Sequence, residues 1–204
     1  MMVGIVDYGM GNLLSVLDAV EYIGYEAMFC RNENELKKAE KIILPGVGAY
    51  KDCVKNLKEF GFWDTLNEEV INKKKYILGI CLGMQIMAKK GYEGGDFGGL
   101  GWFDAEVIRI VTNNKNLKIP QVGWNNIDYD NDNLLFKGLP GMSEFYFVHS
   151  YYMKCNEKKD VIATCNYGIE LTAAICKNNI FATQFHPEKS QDYGLRVLKN
   201  FLDL

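Results

Sequence analysis

The stretch Gly79-Ile80-Cys81-Leu82-Gly83-Met84-Gln85 decides how the chain is organised. The apolar run 76–80 predicts a buried strand, and the apolar-periodic segment 82–88 predicts a helix. A cysteine therefore stands at a tight strand-to-helix turn, in the layout of the G-x-S-x-G nucleophile elbow. Glycines suit such a corner because its backbone is strained and neighbouring chains pass close to it. Cys81 is thus a candidate nucleophile, and the alternative is a buried structural cysteine at a strand end.

The segments on both sides of this corner predict an α/β fold. In the first half, apolar strand-like runs alternate with segments of helical periodicity, which indicates a mostly parallel sheet covered by helices on both faces. In the second half, short strand-like runs between turn residues indicate antiparallel pairing. The predicted strands are 3–6, 26–30, 41–44, 76–80, 105–111, 121–124, 144–152, 161–166, 171–176 and 180–184, and the predicted helices are 13–23, 49–59, 63–73, 82–88 and 191–202, with Asn12 and Ser190 as N-cap candidates. We expect one domain over residues 1–204, a three-layer open twisted sheet with an antiparallel extension in its C-terminal half.

Composition and charge narrow the classes of function. The 204 residues carry a formal net charge of −3, without the basic excess that is typical of nucleic-acid-binding proteins. No apolar run approaches the ~18 residues of a membrane helix, and the N-terminal residues lack the pattern of a signal peptide. The six cysteines form no C-x-x-C pair and there are only two histidines, which argues against a zinc site. We therefore expect a cytoplasmic protein with reduced thiols and no metal.

A glycine-containing turn near the N-terminus raises the question of a cofactor. Gly9-x-Gly11 follows a predicted strand and precedes a predicted helix, as in dinucleotide-binding proteins. The third glycine of that fingerprint is replaced by Leu14, so we reject a dinucleotide site and expect no cofactor.

A cysteine nucleophile needs a base and a group that orients the base. His186 lies just past a predicted strand in Gln184-Phe185-His186-Pro187-Glu188, where Glu188 can accept a hydrogen bond from one ring nitrogen. The other histidine, His149, lies inside an aromatic strand with no acid nearby. We favour His186 as the base.

An oxyanion that develops on a carbonyl substrate needs backbone or side-chain donors. The backbone N–H of Leu82 is one candidate because it follows the nucleophile at the start of a helix. A second donor is expected from the loop Pro45-Gly46-Val47-Gly48, whose glycines permit unusual dihedral angles. The alternative for this loop is a plain turn.

Together these motifs resemble the class I, triad-type glutamine amidotransferases, and more narrowly the glutaminase subunits of imidazole glycerol phosphate synthases. The resemblance covers nearly the whole chain and implies a flavodoxin-like sheet. It rests on several motifs in the right order: Asp7-Tyr8-Gly9-Met10-Gly11-Asn12, Leu44-Pro45-Gly46-Val47-Gly48, Gly79-x-Cys81-x-Gly83-x-Gln85, Gln121-Val122-Gly123-Trp124-Asn125, Tyr146-Phe147-Val148-His149-Ser150-Tyr151 and His186-Pro187-Glu188-Lys189-Ser190.

The resemblance implies a role for each matching residue. Cys81 attacks the side-chain amide of L-glutamine, His186 protonates the leaving amine and then activates water, and Glu188 orients His186. The positions that hold the amino and carboxylate groups of glutamine are Gln85, Glu93, Ser150 and Tyr151. The match to the family is weaker around Glu93, because many relatives have an acidic stretch there, whereas this chain has Lys89-Lys90-Gly91-Tyr92-Glu93-Gly94. The oxyanion donors are Val47, Gly48 and Leu82, and the residues that face a partner subunit are Asn12, Trp124, Tyr146 and Lys189. For Trp124 and Tyr146 the alternative is core packing.

The resemblance also implies a partner and a pathway. Ammonia released into water would be protonated, so a glutaminase has reason to deliver it directly to a synthase. The implied partner is a (β/α)₈ cyclase subunit in a heterodimer that makes imidazole glycerol phosphate and AICAR in histidine biosynthesis. The alternative is a paralogous subunit that supplies ammonia for amidation of a surface-polysaccharide sugar. A non-enzymatic scaffold and a different cysteine hydrolase fit the motifs less well.

Overall fold

The computed structural model describes residues 1–204 and contains two sheets and six α-helices. The strands are β1 (Met2–Val6), β2 (Glu26–Cys30), β3 (Lys41–Gly46), β4 (Tyr76–Cys81), β5 (Ala88–Gly91), β6 (Phe97–Gly98), β7 (Phe103–Arg109), β8 (Gln121–Tyr129), β9 (Ser143–His149), β10 (Tyr151–Cys155), β11 (Val161–Asn166), β12 (Glu170–Lys177) and β13 (Ile180–Thr183). The helices are α1 (Leu13–Tyr22), α2 (Glu33–Lys38), α3 (Tyr50–Glu59), α4 (Phe62–Leu66), α5 (Leu82–Gln85) and α6 (Gln191–Leu202).

The main sheet has nine strands in the order β2-β1-β3-β4-β13-β12-β11-β8-β9. From β2 to β13 every pairing is parallel, and from β13 to β9 every pairing is antiparallel. A smaller sheet has the order β10-β7-β5-β6. The prediction of an α/β fold with a parallel sheet and an antiparallel C-terminal extension is confirmed, and the smaller sheet adds to it.

Apolar side chains are buried on both faces of the main sheet. Strand β3 is buried along its whole length, and its residues alternate between the two cores: Ile43 packs with α1 and α6, while Ile42 and Leu44 pack with α2, α3 and α4. A central parallel strand must be apolar on both sides for this arrangement. The carboxyl ends of the parallel strands are therefore the edge at which polar, reactive side chains can reach solvent.

Several predicted elements differ from the structure. The helix predicted over 82–88 ends at Gln85, because Ala88 begins β5, which pairs with β7. The helix predicted over 63–73 is α4 followed by a π-helical segment, Asn67–Asn72. The strand predicted over 144–152 breaks at Ser150 into β9 of the main sheet and β10 of the smaller one. Short apolar runs do not reveal which sheet they join, since that depends on contacts distant in sequence.

The predicted helix caps were also wrong in detail. Neither Asn12 nor Ser190 caps its helix through the side chain. The Ser190 hydroxyl instead donates to His186 O (2.6 Å) and accepts from Tyr146 N (3.0 Å). Helix α2 was missed, although Asn32 at its start accepts from the Glu35 N–H. None of the helices has the length and apolar character needed to span a bilayer.

Gly83→Ala is expected to destabilise the fold. A Cβ at position 83 would overlap the backbone carbonyl oxygen of Leu44 in β3, which cannot turn aside as a side chain can. We expect a loss of about 1–3 kcal/mol or more in the free energy of unfolding, measured by urea denaturation. Gly98→Ala is the matched control, because nothing lies within 4 Å of its added Cβ. Equal stability of the two variants would contradict close packing at the corner.

Candidate active site

Cys81 ends β4 and immediately precedes α5. Its backbone has φ 54° and ψ −107°, in a region that non-glycine residues seldom adopt. Cys81 pairs in register with Gly46 of β3, and Ile80 pairs with Thr183 of β13. The sheet therefore gathers the loop after β3, the cysteine and the segment after β13 at one edge.

His186 and Glu188 form a buried pair beside this corner. His186 Nδ1 lies 2.8 Å from Glu188 Oε1, and both side chains are almost wholly inaccessible to solvent. The His186 N–H donates to Tyr146 O (2.9 Å) and fixes the backbone at the start of the Pro187–Lys189 turn. Glu188 thus holds the ring by one nitrogen, which is the orienting contact that a triad requires.

The other ring nitrogen of His186, Nε2, is buried and makes no hydrogen bond within the chain. Burial lowers the pKa of His186, but the nearby Cys81 sulfur and the Glu188 carboxylate outweigh that effect and raise it to about 10. A histidine that keeps its proton at neutral pH can donate it to a leaving amine.

His149 has the opposite electrostatic character. Burial lowers its pKa to about 4, so the ring is neutral at physiological pH. Its Nδ1 lies 2.9 Å from Tyr151 O, and its Nε2 faces the side-chain amide of Gln121 at 3.1 Å. With the proton on Nδ1, the ring donates to Tyr151 O and needs a hydrogen-bond donor at Nε2. The amide nitrogen of Gln121 is buried and otherwise has no partner, and it supplies that donor when the amide is rotated. Both nitrogens of His149 are therefore occupied.

A cavity of about 420 Å³ opens over Cys81. It brings together all eight predicted oxyanion, nucleophile and substrate positions: Val47, Gly48, Cys81, Leu82, Gln85, Glu93, Ser150 and Tyr151. Pro120, Val148 and His149 complete its lining. Gly48 has φ 115°, so the loop that carries the oxyanion candidates depends on glycine there. The volume suits a single small substrate.

Glu93 makes a contact that the sequence does not predict. Its Oε2 accepts a hydrogen bond from the backbone N–H of Tyr50 (2.9 Å), the first residue of α3. An anion is favourable at a helix N-terminus. Because Tyr50 follows the Gly48 loop by two residues, Glu93 joins the candidate substrate site to the candidate oxyanion loop.

Three of the four predicted partner-facing residues form one cluster. The rings of Trp124 and Tyr146 meet edge to face with centroids 6.1 Å apart, and Lys189 Nζ lies 6.0 Å from the centroid of Tyr146. Trp124 is 45% exposed, which argues against core packing. A second cavity, of about 460 Å³, adjoins Trp124 but is lined by no cysteine or histidine. Asn12, the fourth of these residues, lies at the start of α1.

The sequence interpretation missed one polar side chain at the site. Gln184, wholly buried, points its Nε2 at Cys81 Sγ from 3.6 Å. Gln184 could have been identified from its position directly after β13, the strand that pairs with β4. No group of three or more histidine, cysteine, aspartate or glutamate side chains is arranged to hold a metal ion.

Known proteins define the class to which this fold and site belong. A family model described as "Glutamine amidotransferase class-I" matches residues 4–204, and the chain therefore belongs to the class I glutamine amidotransferases. Solved structures agree on the fold. One titled "Crystal structure of glutamine amidotransferase" has a TM-score of 0.76 at 22% identity, covering 98% of this chain and 97% of the other. "Structure of PurLQS from Thermotoga maritima" has a TM-score of 0.76 at 18% identity, covering 99% and 97%.

Sequence relatives narrow the class to the HisH subunits of imidazole glycerol phosphate synthase. The chain is 48% identical to "Imidazole glycerol phosphate synthase subunit HisH 1" of Campylobacter jejuni (strain RM1221), over 100% of both chains. It is 44% identical to the HisH subunit of Leptospira borgpetersenii, again over 100% of both chains. The HisH subunit of Chlorobaculum tepidum is 45% identical over 99% of this chain and 100% of its own length.

Proposed function

We propose that residues 1–204 form a single glutaminase domain that hydrolyses L-glutamine to L-glutamate and supplies the ammonia to a synthase subunit in histidine biosynthesis, in the cytoplasm. The observation that carries this proposal is the single cavity over Cys81, which joins this cysteine, with its strained backbone, to the seven residues that the family resemblance assigns to the oxyanion and to glutamine. The buried His186–Glu188 pair beside the cysteine supports it.

The chemistry proceeds in two steps at the Cys81 sulfur. The sulfur attacks the side-chain amide carbon of glutamine, and the oxyanion that forms is held by backbone donors from the Val47–Gly48 loop and Leu82. His186 donates its Nε2 proton to the amide nitrogen, the C–N bond breaks, and ammonia departs to leave a glutamyl thioester on Cys81. His186 then takes a proton from water, which attacks the thioester and releases glutamate. Glu188 holds the ring throughout.

The remaining cavity residues recognise the amino-acid end of glutamine. Gln85 is nearly buried, and its Nε2 already donates to Tyr151 O (2.8 Å) and to Gln184 Oε1 (3.0 Å), so only its Oε1 is left for a substrate. Glu93 supplies an anion for the substrate ammonium. The segment Ser150–Tyr151 is held in place by the bond from Gln85 and by two further contacts, from Ile110 N–H to Ser150 O and from His149 to Tyr151 O.

The ammonia acceptor lies on a partner subunit. The relatives in sequence are named as synthase subunits, and we propose a (β/α)₈ cyclase as the partner. The exposed Trp124, with Tyr146 and Lys189 against it, offers a docking cluster that combines an aromatic anchor with a positive charge. Because Lys189 follows Glu188 directly, a subunit bound there would be coupled to the triad. Asn12 is proposed to extend the same face.

Reconstitution with a cyclase subunit tests this function. We expect the chain alone to hydrolyse glutamine slowly, and expect turnover to rise when the cyclase and its N′-ribulosyl imidazole precursor are added, with imidazole glycerol phosphate and AICAR as products. Trp124→Ala should weaken assembly by about 2 kcal/mol or more, roughly 30-fold in the dissociation constant. Tyr22→Ala is the matched control, since Tyr22 is 79% exposed on α1. Fast hydrolysis without a partner, or stimulation only by an enzyme that amidates sugars, would contradict the proposal.

A further inference from the structure

The amide of Gln184 contacts the Cys81 sulfur from inside the protein. Its Nε2 lies 3.6 Å from Sγ, which suits a hydrogen bond because sulfur has a larger radius than oxygen. Gln184 does not line the cavity above Cys81. The substrate and Gln184 therefore approach the sulfur from different sides, and the contact can persist while glutamine is bound.

The direction of this amide follows from a chain of hydrogen bonds that begins at a backbone carbonyl. Tyr151 O can only accept, so the side-chain atom of Gln85 that faces it at 2.8 Å must be the donor Nε2. The same Nε2 has a second hydrogen, and Gln184 Oε1 accepts it at 3.0 Å. Since Oε1 of Gln184 is used in this way, its Nε2–H group is the one that faces Cys81.

The backbone holds Gln184 in this position. It follows β13, whose Thr183 pairs in register with Ile80 of β4, so Gln184 and Cys81 occupy adjoining positions on parallel strands. The N–H of Gln184 donates to Ala173 O (2.8 Å). A donor set in advance beside an atom that becomes negative stabilises the charged form without reorganisation.

We propose that Gln184 is a catalytic residue that donates a hydrogen bond to the Cys81 sulfur and stabilises its thiolate, and that Gln85 is a positioning residue that fixes the direction of the Gln184 amide. The inference rests on the proposed function, in which Cys81 attacks glutamine. A hydrogen bond to a charged group changes an ionisation midpoint by on the order of one to two pH units. Loss of the Gln184 donor should therefore lower glutamine hydrolysis near pH 7 by roughly 10–100-fold through kcat, with little change in KM.

The pH profile of Cys81 alkylation tests this inference without any need for glutaminase activity. The full chain is treated with iodoacetamide from pH 5 to 10, and modification at Cys81 is followed by peptide mass spectrometry, which separates it from the other five cysteines. Gln184→Met keeps the volume and removes the donor. We expect its alkylation midpoint to rise by about one to two pH units while the plateau rate at high pH remains, since a more basic thiolate is at least as nucleophilic.

Three further variants separate this role from packing. Gln184→Glu places an anion beside the sulfur and should raise the midpoint at least as far as Gln184→Met does. Thr183→Val is the matched control: it removes a buried hydroxyl one residue earlier that bonds Phe185 O, and its midpoint should equal that of the wild type. Gln85→Met should raise the midpoint by less than Gln184→Met. This variant also gives the answer if neither Gln184 variant folds.

The outcomes are distinct. A raised midpoint in the Gln184 variants with an unchanged one in Thr183→Val supports the proposal. Reduced thermal stability with an unshifted midpoint would make Gln184 a packing residue and overturn the proposal, while the glutaminase function would stand. A shifted midpoint in a chain that does not hydrolyse glutamine in any complex would instead overturn the proposed function.

Discussion

We expect Cys81→Ala to abolish glutamine-dependent synthesis by the reconstituted complex, while synthesis supplied with ammonium salt should continue at the wild-type rate. Removing the nucleophile of a triad lowers turnover by roughly 10³-fold or more, because no other group can form the covalent intermediate. In the proposed complex the partner still has its own acceptor site, so added ammonia replaces the missing product. The measurement is the rate of imidazole glycerol phosphate formation with glutamine and with ammonium salt in parallel.

A second cysteine variant provides the control for this result. Cys176 is half-buried in β12, away from the cavity, and burial raises the pKa of its thiol. Cys176→Ala should keep both activities. Loss of the ammonium-supported rate in Cys81→Ala would show that the change had damaged the complex itself, and survival of the glutamine-supported rate would remove Cys81 from the chemistry.

The parallel half of the sheet could be predicted from the sequence because its physical requirements are local. Strands such as β3 are buried on both sides, so they read as continuous apolar runs, and helical periodicity appears between them. The break at Ser150 could not be predicted in this way. β9 and β10 are one aromatic run in sequence, and only their pairing with β8 and β7 separates them.

The candidate site also combines residues that the local sequence predicts with residues that it does not. The choice of His186 over His149 followed from scarcity, since two histidines and one nearby carboxylate leave few combinations. Gln184 carries no comparable signal, because a glutamine at a strand end is ordinary until the neighbouring strand brings Cys81 beside it. The contact between Glu93 and the start of α3 likewise spans 43 residues of sequence. Contacts between distant residues decide these features, and no local pattern encodes them.

The two histidines are expected to differ sharply when each is replaced. In the proposed mechanism, His186→Ala removes both the acid for the leaving group and the base for water, so glutamine hydrolysis in the complex should fall by roughly 10³-fold, with ammonium-supported synthesis retained.

His149→Gln is the matched comparison and should lower hydrolysis less than tenfold or so, because His149 is a neutral ring with both nitrogens already bonded. The lowered pKa of His149, about 4, gives an independent test of whether its ring is neutral in the folded protein. The folded state disfavours its protonation, so wild-type stability should decline as the pH falls from about 6.5 towards 4, and His149→Gln should lose less stability over that range. Equal losses of hydrolysis in the two variants would contradict the assignment, since only the histidine that is held by Glu188 and retains its proton at neutral pH can serve the leaving group.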